Sequence, residues 1–346
     1  MKIKLEFEPF QKYSFSRIKL WRKCQMAHHY KYYQGLEKVK KGLPLIIGSA
    51  IHAAIEEHTE GRNYRVPMEQ FRRDFNKLFQ EEQVEFGDLP TELDGIMEAY
   101  FKHYKDDGLI YPMRRRGIRS EIPVTVDLDN HSRFVGFVDA FPQDEEGRNW
   151  VMDTKTCKSI PEESSRFADY QLITYCWLLP QLGYPKPDGV IWNYVRKKAP
   201  SIPEQLKSGG LSKAAKIDTT YEVYMSTVDK LLGPEKRGDY EEFASTLKGR
   251  ENKFFRRVYL PSPNSTMVDT IVTDLISSIK EIHLKGPTST VRSMTKDCNW
   301  CTYYSLCQSE VRGLDTDYIR KFDFTTKEER NDQEKAVESD SSDIEE

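Results

Sequence analysis

Apolar residues in the first third of the chain recur at helical spacing. From Tyr13 to Tyr33 they include Ile18, Leu20, Trp21 and later aromatics, with Ser14 or Ser16 placed to cap a helix and Arg17, Lys19, Arg22 and Lys23 interspersed. Leu45 to His58 repeats the pattern through Ile47, Ile51, Ala54 and Ile55, and puts His52 and Glu56 one turn apart on a shared side. Two further amphipathic helices are predicted over Met68–Phe86 and about Glu92–Lys105. Then the period shortens. Glu121–Leu128, Arg133–Phe141 and Trp150–Lys155 are short β-rich runs separated by Asp-Asn and Asp-Glu-Glu-Gly turns, the pattern of an antiparallel meander. A long helix is predicted from about Ser164 to Leu182, then a strand over Gly189–Val195, a loop rich in Pro, Gly, Ser and Lys over Lys197–Lys216, a strand over Phe254–Leu260 and a helix over Thr266–Lys285.

The order helix, three strands, helix, strand predicts an α/β fold. It places Asp139 and Asp153 on adjacent strands, Lys155 at a strand end, and Gln171 and Tyr175 on the helix that packs next. Four regions follow: a helical region over 1–110, an α/β core over 111–200, a second helical region over 201–325 and an acidic tail over 326–346.

With 38% hydrophobic and 12% aromatic residues, the chain has enough apolar surface for a substantial core. It contains no run of about eighteen apolar residues, and Met1 to Phe10 alternates charge with apolar residues instead of forming a signal segment, so a cytoplasmic protein is expected. The net charge of -3 argues against a nucleic-acid partner until its distribution is considered. Lys327 to Glu346 holds nine acidic and three basic residues, which leaves the rest of the chain at +3. That tail is almost devoid of apolar residues and is expected to be disordered.

Asp139, Asp153 and Lys155 fit phosphodiester hydrolysis assisted by a divalent cation. The cation helps activate water, neutralise the non-bridging oxygens and release the leaving oxygen. Mg²⁺ and Mn²⁺ take oxygen ligands, so Asp139, Asp153 and the carbonyl of Thr154 are candidates, and His52 adds a nitrogen better suited to Mn²⁺. Residues two apart on a strand share a face, which points Asp153 and Lys155 the same way. Singly, each has an ordinary reading too: a chance Asp-x-Lys triplet, a structural histidine, a plain Gln–Tyr helix pair.

Six cysteines without a secretory signal do not suggest a disulfide framework. Cys298, Cys301 and Cys307 fall within ten residues, and Cys24 is the obvious fourth ligand. A 4Fe-4S cluster and a zinc ion both accept four thiolates. Cys157 and Cys176 fit neither pattern and are expected to pack as small hydrophobes.

The stretches around His52 (Gly48 to Glu56), Asp139 (Gly136 to Asp139), Asp153 and Lys155 (Val151 to Thr156), and Gln171 to Tyr175 resemble the successive motifs of RecB-type nucleases in the PD-(D/E)xK superfamily. The resemblance runs as spaced motifs from roughly Ser14 to Cys307. It implies a restriction-endonuclease-like core, a central mixed sheet flanked by helices, with helical elaboration. It further implies His52, Asp139 and Asp153 as metal ligands, Lys155 as the catalytic lysine, and Gln171 with Tyr175 as DNA-facing support. Glu121 sits where such proteins often have an acid. One early cysteine and a late C-x2-C-x5-C are similar to AddB nucleases and to the CRISPR-associated exonuclease family with its phage-encoded relatives. There the four cysteines hold a 4Fe-4S cluster that joins the two ends of the nuclease domain. The usual proline after the first cysteine is Gln25 here.

The expected function is a DNA exonuclease dependent on Mg²⁺ or Mn²⁺, acting on single-stranded ends in a prokaryotic or phage-infected cell. By analogy it serves recombination, repair, replication or CRISPR-like processing, with a helicase, recombination or integrase partner. Arg114, Arg115 and Arg116 are expected to guide the strand, Arg256 and Arg257 to meet phosphates, and the aromatic and basic residues from Trp21 to Lys40 either to stack bases or to support the cluster. Two rivals remain: a catalytically inactive DNA-binding or assembly subunit of the same fold, and a zinc-stabilised nucleic-acid adaptor.

Overall fold

The structure is a computed structural model that describes residues 11–39, 42–78, 80–113, 117–129, 131–161 and 170–326. Arg114 to Arg116, the acidic tail and the start of the helix expected from Ser164 lie outside the described residues. In chain order the elements are β1 (Gln11–Tyr13), α1 (Phe15–Lys23), α2 (Gln25–Tyr32), β2 (Glu37–Lys38), α3 (Leu43–Thr59), α4 (Arg65–Asn76), α5 (Gln80–Phe86) and α6 (Leu89–His103). Then come β3 (Ser120–Asp127), β4 (Ser132–Ala140), β5 (Trp150–Cys157), α7 (Gln171–Gln181), β6 (Gly189–Arg196), α8 (Tyr221–Leu232) and α9 (Arg237–Ser245). The last are β7 (Phe255–Pro261), α10 (Ser265–Lys285), α11 (Tyr304–Val311), α12 (Asp317–Asp323) and β8 (Phe324–Thr325). Among the described residues no helix is long and apolar enough to cross a membrane.

The chain divides into two compact units. One comprises residues 43–124 and 137–268 and is built on a mixed sheet. Here β5 pairs in parallel with β6 from Trp150 opposite Gly189 to Cys157 opposite Arg196. β6 runs antiparallel to β7, and the end of β4 meets β5 antiparallel at Ala140 and Met152. The parallel pair requires a crossover, and α7 lies within it. All but the last residue of β6 are buried, as expected of a strand covered on both faces. Ile47, Ile51 and Ala54 of α3 pack with Met68, Phe75, Leu93, Ile96 and Tyr100 from α4 and α6, with Val195 and Phe255 from the sheet, and with Phe254 just ahead of β7. Gly48 makes that packing close, since a Cβ there would stand 3.1 Å from Thr156 Oγ1 on β5.

The other unit draws on residues 1–42, 125–136 and 269–346. Met26, Ala27, Tyr30 and Leu36 share a core with Tyr303, Leu306 and Phe324, and β2 pairs antiparallel with β8. β1 pairs in parallel with Ser132 to Phe134 of β4.

Two predicted helices prove to be broken. Met68–Phe86 is divided into α4 and α5, and Tyr13–Tyr33 into α1 and α2. The second break falls at Cys24, whose backbone is extended (φ -162°, ψ 115°). Segment 291–293 serves the backbone groups beside it: Met26 N–H donates to Val291 O at 2.9 Å, and Ser293 Oγ donates to Lys23 O at 2.7 Å. The meander is antiparallel where β4 meets β5, and the sheet then turns parallel at β6.

Candidate active site

The acidic site lies in the unit built on the mixed sheet. His52 of α3, Glu121 at the head of β3 and Asp139 near the end of β4 bring ligand atoms within 4.8 Å of one another, the one such group of three or more His, Cys, Asp or Glu among the described residues. His52 Nδ1 is 3.7 Å from Asp139 Oδ2, and that oxygen accepts the Thr154 N–H at 2.7 Å. Burial pushes the Asp139 carboxyl up to about 6, against the Thr154 hydrogen bond and with help from Glu121. Burial also raises Glu121, reinforced by Glu56 and Asp153, and lowers His52 below the usual histidine range. Two acids held above their ordinary range beside a neutral imidazole suit a divalent cation, which would offset the burial of both carboxylates.

Asp153 and Lys155 share a face of β5 as predicted, and Lys155 Nζ lies 2.8 Å from Asp153 Oδ2. The ammonium also donates to Gln171 Oε1 at 3.2 Å, and Gln171 Nε2 donates to Tyr175 Oη at 3.2 Å. Gln171 and Tyr175 are one turn apart on α7, so this helix fixes the lysine from its far end. Of the expected metal ligands, the compact group contains His52 and Asp139. Asp153 is engaged with Lys155, and Glu121 occupies the third place.

Glu121 has φ 46°, in the left-handed region that side chains avoid. The residues ahead of it are clamped by Glu60, whose Oε1 accepts from Arg119 N–H, Ser120 N–H and Ser120 Oγ, each at 2.7 Å. Nothing in the sequence singles out Glu60, which reads there as one more acid at a helix end.

Cys24, Cys298, Cys301 and Cys307 belong to the other unit and line one cavity of about 360 Å³ with Tyr30 and Tyr303. Their sulfurs do not draw together into a compact ligand group. The extended backbone at Cys24 and the short helical turn over Lys296–Trp300 bring the thiols to a common wall. Arg292, which sequence reading missed, donates from Nε to Cys307 Sγ at 3.3 Å and from its other end to Glu310 at 2.9 Å. Cys157 is half-buried and Cys176 buried, both away from that cavity's lining.

Arg257 is not available for phosphates. Its side chain is 5% exposed, ion-paired with Asp107 and stacked over the Tyr104 ring at 3.9 Å. Between Trp21 and Lys40, Trp21 and Tyr30 are core residues, while Tyr32 and Tyr33 flank the Arg17 guanidinium.

The sequence pattern of the PD-(D/E)XK nuclease superfamily matches residues 12–308, and the chain belongs to that superfamily. Among solved structures, the crystal structure of SSO0001 is 12% identical, with 85% of this chain and 95% of that one covered and a TM-score of 0.31. No curated protein sequence matches the chain. The mixed sheet with flanking helices is thus a PD-(D/E)XK-type core, and the His52, Glu121 and Asp139 group is its candidate divalent-metal site.

Proposed function

We propose that the protein is a DNA exonuclease dependent on Mg²⁺ or Mn²⁺ that hydrolyses single-stranded ends. The observation that carries this reading is the meeting, in one unit, of a three-residue ligand group with a lysine fixed by an acid at one side and an amide at the other. His52, Asp139, Asp153 and the Thr154 carbonyl are the proposed metal ligands, and Glu121 is a further carboxylate within reach. The bound cation supplies an activated water and charge neutralisation at the phosphate. Lys155 stabilises charge developing on phosphorus, with Gln171 and Tyr175 orienting it and facing the nucleic acid. Arg114 to Arg116 are proposed to guide the strand.

The cysteine cavity is proposed to hold a 4Fe-4S cluster that fastens residues near the two ends of the matched region. Four thiols around one space support it. A zinc ion accepts the same four thiolates, and metal analysis separates the two. A bound cluster would supply ligation energy and negative charge, and Arg292, which donates to Cys307 Sγ, would help to balance that charge. A place in recombination, repair, replication or CRISPR-related processing, and any helicase or integrase partner, rest on resemblance alone.

The test is cleavage of 5′-labelled and 3′-labelled single-stranded oligonucleotides with Mn²⁺, comparing anaerobically purified protein with Lys155→Ala. Label release by the wild type alone is the expected result, and the label freed first gives the direction. If both proteins bind DNA and neither cuts, the inactive-subunit reading replaces this one. Zinc in place of iron and sulfide, with no cleavage, selects the adaptor.

A further inference from the structure

Thr154 lies between Asp153 and Lys155 on β5, so its side chain faces the opposite side of the sheet. There it meets a buried polar chain. Asn193, directly across the parallel pair on β6, donates from Nδ2 to Thr154 Oγ1 at 3.0 Å and to Tyr100 Oη of α6 at 2.8 Å. The Arg257 guanidinium approaches the same tyrosine oxygen at 3.4 Å and is itself paired with Asp107. Asn193 is fully buried between Trp192 and Tyr194, and Tyr100 and Thr154 are also buried.

A polar side chain in an otherwise apolar strand costs stability unless it is bonded, and the cost here is only partly offset. Asn193 Oδ1 has no hydrogen-bond partner among the described residues. The amide is therefore poorly accounted for as a stabiliser of the core. What its N–H side does hold is Thr154, whose backbone N–H holds Asp139 Oδ2 at 2.7 Å. A threonine whose hydroxyl is anchored has its χ1 fixed and its peptide steadied against the neighbouring strand.

We infer that Asn193 is a positioning residue for the metal site: by anchoring Thr154 from behind the sheet, it sets the direction of the N–H that orients Asp139. This rests on the metal-site reading proposed above. Asn193 touches neither cation nor substrate, and Tyr100, Arg257 and Asp107 extend the anchor into the helical layer.

The experiment measures Mn²⁺ dissociation constants by calorimetry, with thermal melting in parallel, for wild type, Asn193→Leu, Thr154→Val, the double variant and Asp139→Asn. Loss of an orienting partner behind a ligand typically weakens metal binding roughly 10- to 100-fold. That loss is expected for each single variant, with the double no weaker than either, because both remove the same bond. Added Mn²⁺ should restore cleavage by Asn193→Leu with the KM for DNA unchanged. A lower melting temperature with unaltered Mn²⁺ affinity reduces Asn193 to a packing residue and overturns the inference. If Asn193→Leu does not fold, Thr154→Val, which keeps the backbone N–H and the side-chain shape, decides between the two outcomes. Wild-type Mn²⁺ binding indifferent to Asp139→Asn overturns the metal-site reading itself, and the inference with it.

Discussion

Glu121 combines a buried carboxyl with a backbone that disfavours any side chain. A left-handed conformation costs a residue other than glycine about 1–2 kcal/mol, and burial adds the cost of an acid held above its ordinary range. Glu121→Gly should therefore raise the melting temperature of the metal-free protein while weakening Mn²⁺ binding, two opposite shifts readable in one pair of melts with and without the ion. Lys155→Ala should lower the cleavage rate by about 10²–10³-fold and leave Mn²⁺ bound, as calorimetry beside a rate assay would show. Asp139 sets a pH dependence. Its folded value of about 6 exceeds the ordinary 3.8, so between the two the folded state holds a proton that the unfolded state releases. The metal-free protein should accordingly lose stability as pH rises from about 4 to about 6, and Asp139→Asn should flatten that part of a melting-temperature profile. Mn²⁺ competes with the same proton, so its stabilising effect should grow over that range and vanish in the variant. That His52 meets Asp139 and that Asp153 faces Lys155 is legible in the sequence from the chemical types and spacing of the four. Glu121 has no defined role there, since its place depends on a strained backbone that no periodicity reveals. Asn193 was missed, although one amide inside the apolar run from Gly189 to Val195 is a readable signal.

Strands and helices divide in the same way. The short strands β1, β2 and β8 and helices α8, α9, α11 and α12 carry no pattern read in the sequence, and β2 buries neither residue, but α3, α6, α7, α10 and strands β3 to β7 are legible from their apolar positions. The break at Cys24 is not, since the helical pattern runs on through it. Bonds from a segment some 270 positions away decide the matter. Arg257 was misread for a related reason: a cation beside another arginine reads as surface, and only the sheet register turns it toward Asp107. Register also makes Gly189 exacting. It lies opposite Pro261, and a Cβ there would run into the Leu260 carbonyl oxygen and the Trp150 ring. Gly189→Ala should cost about 1–3 kcal/mol and lower the melting temperature by several degrees, checked by calorimetric melting. Part of the loss should return when Trp150 is replaced by a smaller apolar residue.

Each unit of the molecule carries one of the two candidate centres, and neither is assembled from a continuous stretch of chain. Cys301→Ser should reduce the iron and sulfide recovered from anaerobic preparations and lower the melting temperature, while the chemistry proposed at Lys155 persists in whatever fraction stays folded. Metal analysis with melting curves checks both. The joint at Cys24 also has a consequence in time. Lys23 is capped by Ser293, 270 positions later. At a synthesis rate of roughly 5–20 residues per second, that partner emerges some 15–50 s after the helix it completes. For that interval the first cysteine waits without its neighbours, and the redox conditions that the growing chain meets decide whether Cys24 arrives there as a thiol.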